Sequence, residues 1–116
     1  MTGMRIVCTK AGIDVTATLD DSQTASDLVD ALPVEGAAQR WGREVYFGVP
    51  LQRELEAAVE SVAAGDIAYW PPGAAFCIFF GQQPYSAVTP LGRIDGDASV
   101  FEGVGDGDVV RLEPLT

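Results

Sequence analysis

The chain has 116 residues, of which 47% are hydrophobic and 21% charged, a composition that excludes intrinsic disorder and suits one domain, residues 1–116, with its own buried core. Seventeen acidic residues against seven basic ones give a formal charge of −10, so the average surface repels nucleic-acid phosphates and anionic lipids, and neither is an expected partner. No apolar run approaches the ~20 residues needed to span a bilayer, and Met1 to Met4 lack the pattern of a signal peptide, so a cytoplasmic location is expected.

Arg5 to Thr9 is apolar, and Ile13, Val15, Ala17 and Leu19 alternate with polar residues at period two. With Ala11-Gly12 between them, these runs predict a β-hairpin. From Ser22 the period changes. Ala25, Leu28, Val29 and Leu32 fall at helical spacing, Thr24 and Asp27 are spaced as a capping box, and Pro33 closes the segment. Val34 to Trp41 and Arg43 to Phe47 read as strands turning at Gly42. Leu51, Leu55, Ala58, Val59 and Val62 again have helical spacing and predict a second short helix.

Asp66 to Trp70 and Ala75 to Phe80 are the most apolar segments and read as core strands, broken by Pro71-Pro72-Gly73. Gln82 to Ala87 reads as loop, Val88 to Ile94 as strand, Ala98 to Glu102 as a helical turn and Asp108 to Glu113 as a final strand. About eight strands with two or three short helices make a mainly β domain, and closure into a barrel removes exposed edges.

The absence of histidine removes histidine-based nucleophile activation, the HExxH zinc site and imidazole proton shuttles. Cys8 and Cys77 lie in apolar runs, where buried, reduced thiols are expected, and two isolated cysteines make no zinc site. Gly103 to Gly107 lacks the order of a nucleotide-binding loop. Asp95, Asp97, Asp106 and Asp108 lack calcium-loop spacing and read as turn and cap residues. No metal and no cofactor is expected. Glu35 and Glu44 could act as paired carboxylates if a pocket brought them together.

The informative strings are aromatic: RWGREVYF at 40–47 and AYWPPGAAFCIFFG at 68–81. Four successive bulky residues, Phe76 with Ile78, Phe79 and Phe80 around Cys77, suit barrel filling. Tyr69 and Trp70 each carry a polar tip that wants a partner or water. Leu32-Pro33, Arg40-Trp41-Gly42, Glu44 to Phe47, Gly65-Asp66-Ile67, Tyr69 to Gly73 and Phe79-Phe80-Gly81 together resemble the small prokaryotic cyclophilin-like proteins of unknown function. The resemblance implies a closed eight-stranded cyclophilin-like barrel, reduced relative to true cyclophilins, with helices at the barrel ends.

True cyclophilins use an arginine following Phe-His, and no Phe-His-Arg occurs here; Arg40 and Arg43 are the nearest arginines. Two functions remain open. One is a binding module whose aromatic groove takes a small molecule or a proline-containing peptide. The other is a weak peptidyl-prolyl isomerase in which an arginine polarises the amide. The candidate ligand-binding residues are Arg40, Trp41, Glu44, Tyr46, Tyr69, Trp70 and Phe76, with Tyr46, Tyr69 and Trp70 expected to face a cleft that Arg40 approaches.

Overall fold

The structure, a computed structural model, describes residues 2–115. Strands β1 (Thr2–Cys8) and β2 (Ile13–Leu19) form the expected hairpin around a 3-10 turn at Thr9–Ala11. Helix α1 (Gln23–Ala31) follows, then β3 (Val34–Ala37), β4 (Gln39–Arg40), β5 (Glu44–Gly48), β6 (Asp66–Trp70), β7 (Ala75–Phe79), β8 (Thr89–Ile94) and β9 (Val109–Pro114). Their order in the sheet is β3-β9-β1-β2-β8-β6-β7-β5-β4, with neighbours antiparallel.

The two ends of that order belong to one stretch of chain. β3 pairs with β9 and β4 pairs with β5, with only Ala38 between them; Ala38 donates to the Asp108 carbonyl and accepts from the Gly107 amide, both at 2.8 Å. The sheet is therefore a nearly closed barrel of nine strands, and the expected count of eight differs because Val34 to Trp41 is one segment that changes partner at Ala38. Met4, Ile6, Leu19, Leu28, Phe47, Ile67, Tyr69, Phe76, Ile78 and Leu112 fill its interior.

Helix α1 buries Ala25 and Leu28, while Leu32 is half-buried. Its cap differs from the expected box: Ser22 Oγ accepts from the Ala25 amide, and the carboxylate comes from a distant residue. Glu56 accepts from the amides of Gln23 and Thr24 and from the Thr24 hydroxyl, at 3.0, 2.9 and 2.7 Å. Thr24 is thus buried as a partner of Glu56 and does not cap with Asp27, which instead pairs with Arg53.

The second helix is absent. Residues 49–65 form a strap without helix or regular strand, with one isolated β-bridge to the sheet between Val59 and Val88 and further hydrogen bonds to it, among them the Gly65 amide to the Phe79 carbonyl. Helical spacing loses here to tertiary hydrogen bonds and to Ala57, whose φ of 49° is left-handed. The Glu56 amide donates to Thr89 Oγ1, the Ala63 amide to Asp66 Oδ2, and Leu51 O accepts from the Tyr69 hydroxyl.

Each of the turn acids accepts hydrogen bonds from the chain itself, and Asp97 caps the 3-10 turn at Ala98–Gly103. Asp95 accepts from the hydroxyls of Thr16 and Thr18, Asp97 from the Ser99 amide, Asp106 from the Arg40 amide and Asp108 from the Gly105 amide. No helix among the described residues is long and apolar enough to cross a membrane.

Candidate functional site

Side chains on a strand alternate between faces, and paired residues across an antiparallel ladder share one. In β5, Val45 and Phe47 point into the barrel and Glu44 and Tyr46 point outward. Tyr46 pairs with Cys77 of β7, and Cys77 pairs with Ala68 of β6, so Tyr46, Cys77, Ala68 and, two residues on, Trp70 share the outer face. Around the β4–β5 turn, the amides and carbonyls of Trp41 and Glu44 bond reciprocally at 3.0 and 3.1 Å, which puts these two side chains on that face as well. Gly42 makes the turn possible with φ of 60°, and a Cβ there would meet Gln82 Oε1 at 2.2 Å.

These residues surround a cleft of about 250 Å³ on the outside of the barrel, walled by Trp41, Tyr46, Trp70, Pro84, Tyr85 and Val88 with Glu44 and Cys77 at its base. Tyr85, 78% exposed, stands edge-on to both indoles, its ring centroid 6.0 Å from Trp41 and 6.3 Å from Trp70. The loop carrying Pro84 and Tyr85 is pinned on both sides. Gln83 exchanges two 2.9 Å hydrogen bonds with the backbone of Val62 on the strap, and Ser86 Oγ accepts the Trp70 indole N–H at 2.7 Å. The Tyr46 hydroxyl donates to Gln39 Oε1.

Glu44 is 6% exposed, and its Oε1 has no hydrogen-bond partner. Burial pushes its carboxyl up from an ordinary 4.5 to about 7, a rise that the neighbouring Cys77 thiol partly offsets. The same burial, with the Glu44 carboxylate beside it, pushes the Cys77 thiol well above its ordinary value. Cys8 lies in the barrel interior, and both cysteines are free and buried. A water-soluble disulfide reagent is therefore expected to label both thiols in the native protein only as fast as the fold opens. Immediate labelling of Cys77 would show the thiol to be reachable through the cleft it lines.

Of the seven residues singled out from sequence, Trp41, Glu44, Tyr46 and Trp70 meet at this cleft, and Trp70 is half-buried. Tyr69 and Phe76 do not. They alternate with Trp70 and Cys77, so their rings enter the barrel core, 1% and 0% exposed, and the Tyr69 hydroxyl finds its acceptor at Leu51 O. Arg40 is also on the other face, paired with inward-pointing Val45. Its guanidinium donates to the carbonyls of Gly42, Glu102 and Val104 and lies 5.2 Å from the centre of the Phe80 ring. Arg40 therefore fixes the turn that presents Trp41 and Glu44, while Arg43 is paired with Glu102.

Glu35 sits on β3 and pairs with Arg111, away from Glu44. Sequence reasoning passed over Pro84, Tyr85 and Val88. The available signal was an aromatic residue beside proline in a loop next to the strand that carries Trp70.

A sequence profile of the family described as Cyclophilin-like matches residues 4–113. The chain belongs to this family. Among solved structures, the cyclophilin-like chain is similar to the hypothetical protein AF2241 from Archaeoglobus fulgidus, with 33% identity and a TM-score of 0.82, over 98% of this chain and 95% of that one. It also shares its fold with McbB, solved in complex with tryptophan, at 16% identity and a TM-score of 0.81; there it matches 97% of this chain but only 44% of McbB. No functionally curated protein matches.

Proposed function

We propose that this cyclophilin-like chain is a binding module and that its ligand occupies the cleft on the outer face of the β5–β7–β6 sheet. The occupant is a small organic molecule or a single side chain of a bound peptide, since the cleft of about 250 Å³ falls just below the range that accepts drug-sized ligands, roughly 300–1,000 Å³. The observation that carries this reading is Glu44: a buried carboxyl with an unpartnered oxygen, at the base of an aromatic-walled cleft. Buried polar groups are almost always paired, and an exception in a concave apolar site points to a partner not contributed by the chain.

The isomerase alternative needs an arginine beside the rings. Arg40 and Arg43 are both held elsewhere, and a carboxyl occupies the cleft instead. We therefore expect no acceleration of Xaa-Pro isomerisation above buffer, measured on a short proline peptide.

Binding is tested by tryptophan fluorescence, because Trp41 and Trp70 both wall the cleft. Titration with indole, the same proline peptide and small alkylamines is expected to shift or quench emission saturably for at least one class. Trp70→Ala should weaken that binding about tenfold or more, equivalent to ~1.4 kcal/mol. A flat response to every class, or full affinity in Trp70→Ala, would remove the cleft as a binding site.

A further inference from the structure

Building on the reading of the cleft as a binding site, we propose that its occupant is an organic cation, an alkylated ammonium group boxed by Trp41, Tyr46, Trp70 and Tyr85 with Glu44 as its counter-ion. The walls have no free hydrogen-bonding handles at two of their largest residues. The Trp70 indole N–H is committed to Ser86 and the Tyr46 hydroxyl to Gln39. A neutral polar ligand would find only Glu44 in the buried part of the cleft, the Trp41 indole N–H and the Tyr85 hydroxyl belonging to exposed residues, whereas a methylated ammonium brings few or no N–H groups to satisfy.

Ring geometry points the same way. Tyr85 meets Trp41 at 74° and Trp70 at 88°, so its ring stacks flat on neither, and the walls join as corners of a box. A rounded ammonium can touch several ring faces at once in such a corner, and each face attracts a cation through its quadrupole.

The charge of the site completes the argument. The lining residues include one acid, Glu44, and no lysine or arginine. Arg40 and Arg43 both pair with Glu102, and the Arg40 guanidinium is also held by the carbonyls of Glu102 and Val104. A buried carboxylate with one oxygen unpartnered is costly alone, and a cation sharing the desolvated site offsets that cost. At longer range, a chain charge of −10 raises the local concentration of cations over anions.

The test compares choline with 3,3-dimethylbutan-1-ol, its uncharged isostere, by calorimetry and tryptophan fluorescence at pH 8 and constant ionic strength. Choline is expected to bind at least tenfold more tightly than the alcohol, and Glu44→Gln to remove that preference while its melting curve stays cooperative. Equal binding of the two probes to the wild type would overturn the cation and leave the binding-module reading standing. So would a choline preference that survives in Glu44→Gln, because the counter-ion would then lie elsewhere. Binding of neither probe overturns the cation, and the indole and peptide titrations then decide the cleft separately. The wild-type comparison of isosteres needs no variant, so a misfolded Glu44→Gln would not shield the proposal.

Discussion

Gly92→Ala is expected to destabilise the barrel by about 3 kcal/mol or more, combining the cost of a strained backbone with that of overpacking. Gly92 sits in β8 opposite Leu19 of β2 and Ile67 of β6, where the β6–β8 register shifts because Leu91 is an extra residue. Its φ is +151°, and a Cβ would stand 2.0 Å from the Thr18 carbonyl oxygen and 2.9 Å from Leu19 Cα. Both obstacles are backbone of the adjacent strand. Relief requires β8 to part from β2, and β8 is what joins the β1–β2 hairpin to the β6–β7–β5 sheet that carries the cleft.

The measurement is thermal or urea unfolding, with Gly48→Ala as reference because nothing lies within 4 Å of its added Cβ. A loss of about 3 kcal/mol corresponds to roughly 10 °C or more in Tm for a domain of this size. A Gly92→Ala melting point within about 2 °C of wild type would show that the strands yield at this point.

Where a segment's own pattern decided its fate, the sequence was readable. Alternation over Ile13–Leu19 and the apolar runs at Asp66–Trp70 and Ala75–Phe79 became strands in a nearly closed barrel, and the aromatic strings did contain four residues of the cleft. The misplacements have one cause. Adjacent strand residues face opposite ways, so Tyr69 and Trp70 could not both face one groove, nor could Arg40 and Trp41. Applying the two-residue period to each strand of RWGREVYF separately, with Trp41 and Glu44 paired across the turn at Gly42-Arg43, sends Arg40, Val45 and Phe47 inward and Trp41, Glu44 and Tyr46 outward.

What no local pattern could reveal is the strap. Its helical spacing is genuine, but Glu56 caps a helix more than thirty residues away and Thr89 accepts its amide, contacts created only by the fold. The placement of Tyr85 depends on that strap through Gln83, so the fourth wall of the cleft was legible only as a loop aromatic.

Stability of the wild type is expected to fall as pH rises from about 4.5 to about 7, and Glu44→Gln to abolish that fall. The sign follows from the raised carboxyl of Glu44. With an ordinary value of 4.5 and a folded value of about 7, the native state holds a proton in this window that the unfolded chain has released. Stability then declines with pH, because the native state binds more protons. Above about pH 7 both states are ionised, and the folded protein bears the full burial cost of the carboxylate, up to about 3 kcal/mol at ~1.4 kcal/mol per pH unit.

The window is unusually clean, since the chain has no histidine and the buried Cys77 thiol ionises far above it. The carboxylates held down by hydrogen bonds and ion pairs, Asp14, Asp27, Glu56, Asp97 and Asp108, work in the opposite direction, at its lower edge and below it. Their stabilisation is complete above the ordinary carboxylate range and is lost only as pH falls through their lowered values. Urea unfolding at half-unit steps from pH 4.5 to 8 measures the slope directly. Glu44→Gln should be flat from about pH 5.5 upward, where the other carboxylates are ionised in both states, and gain on the wild type toward pH 8. An identical slope in both proteins would place the proton elsewhere. It would also show the Glu44 carboxyl to be less desolvated than recognition of a cation at this site requires.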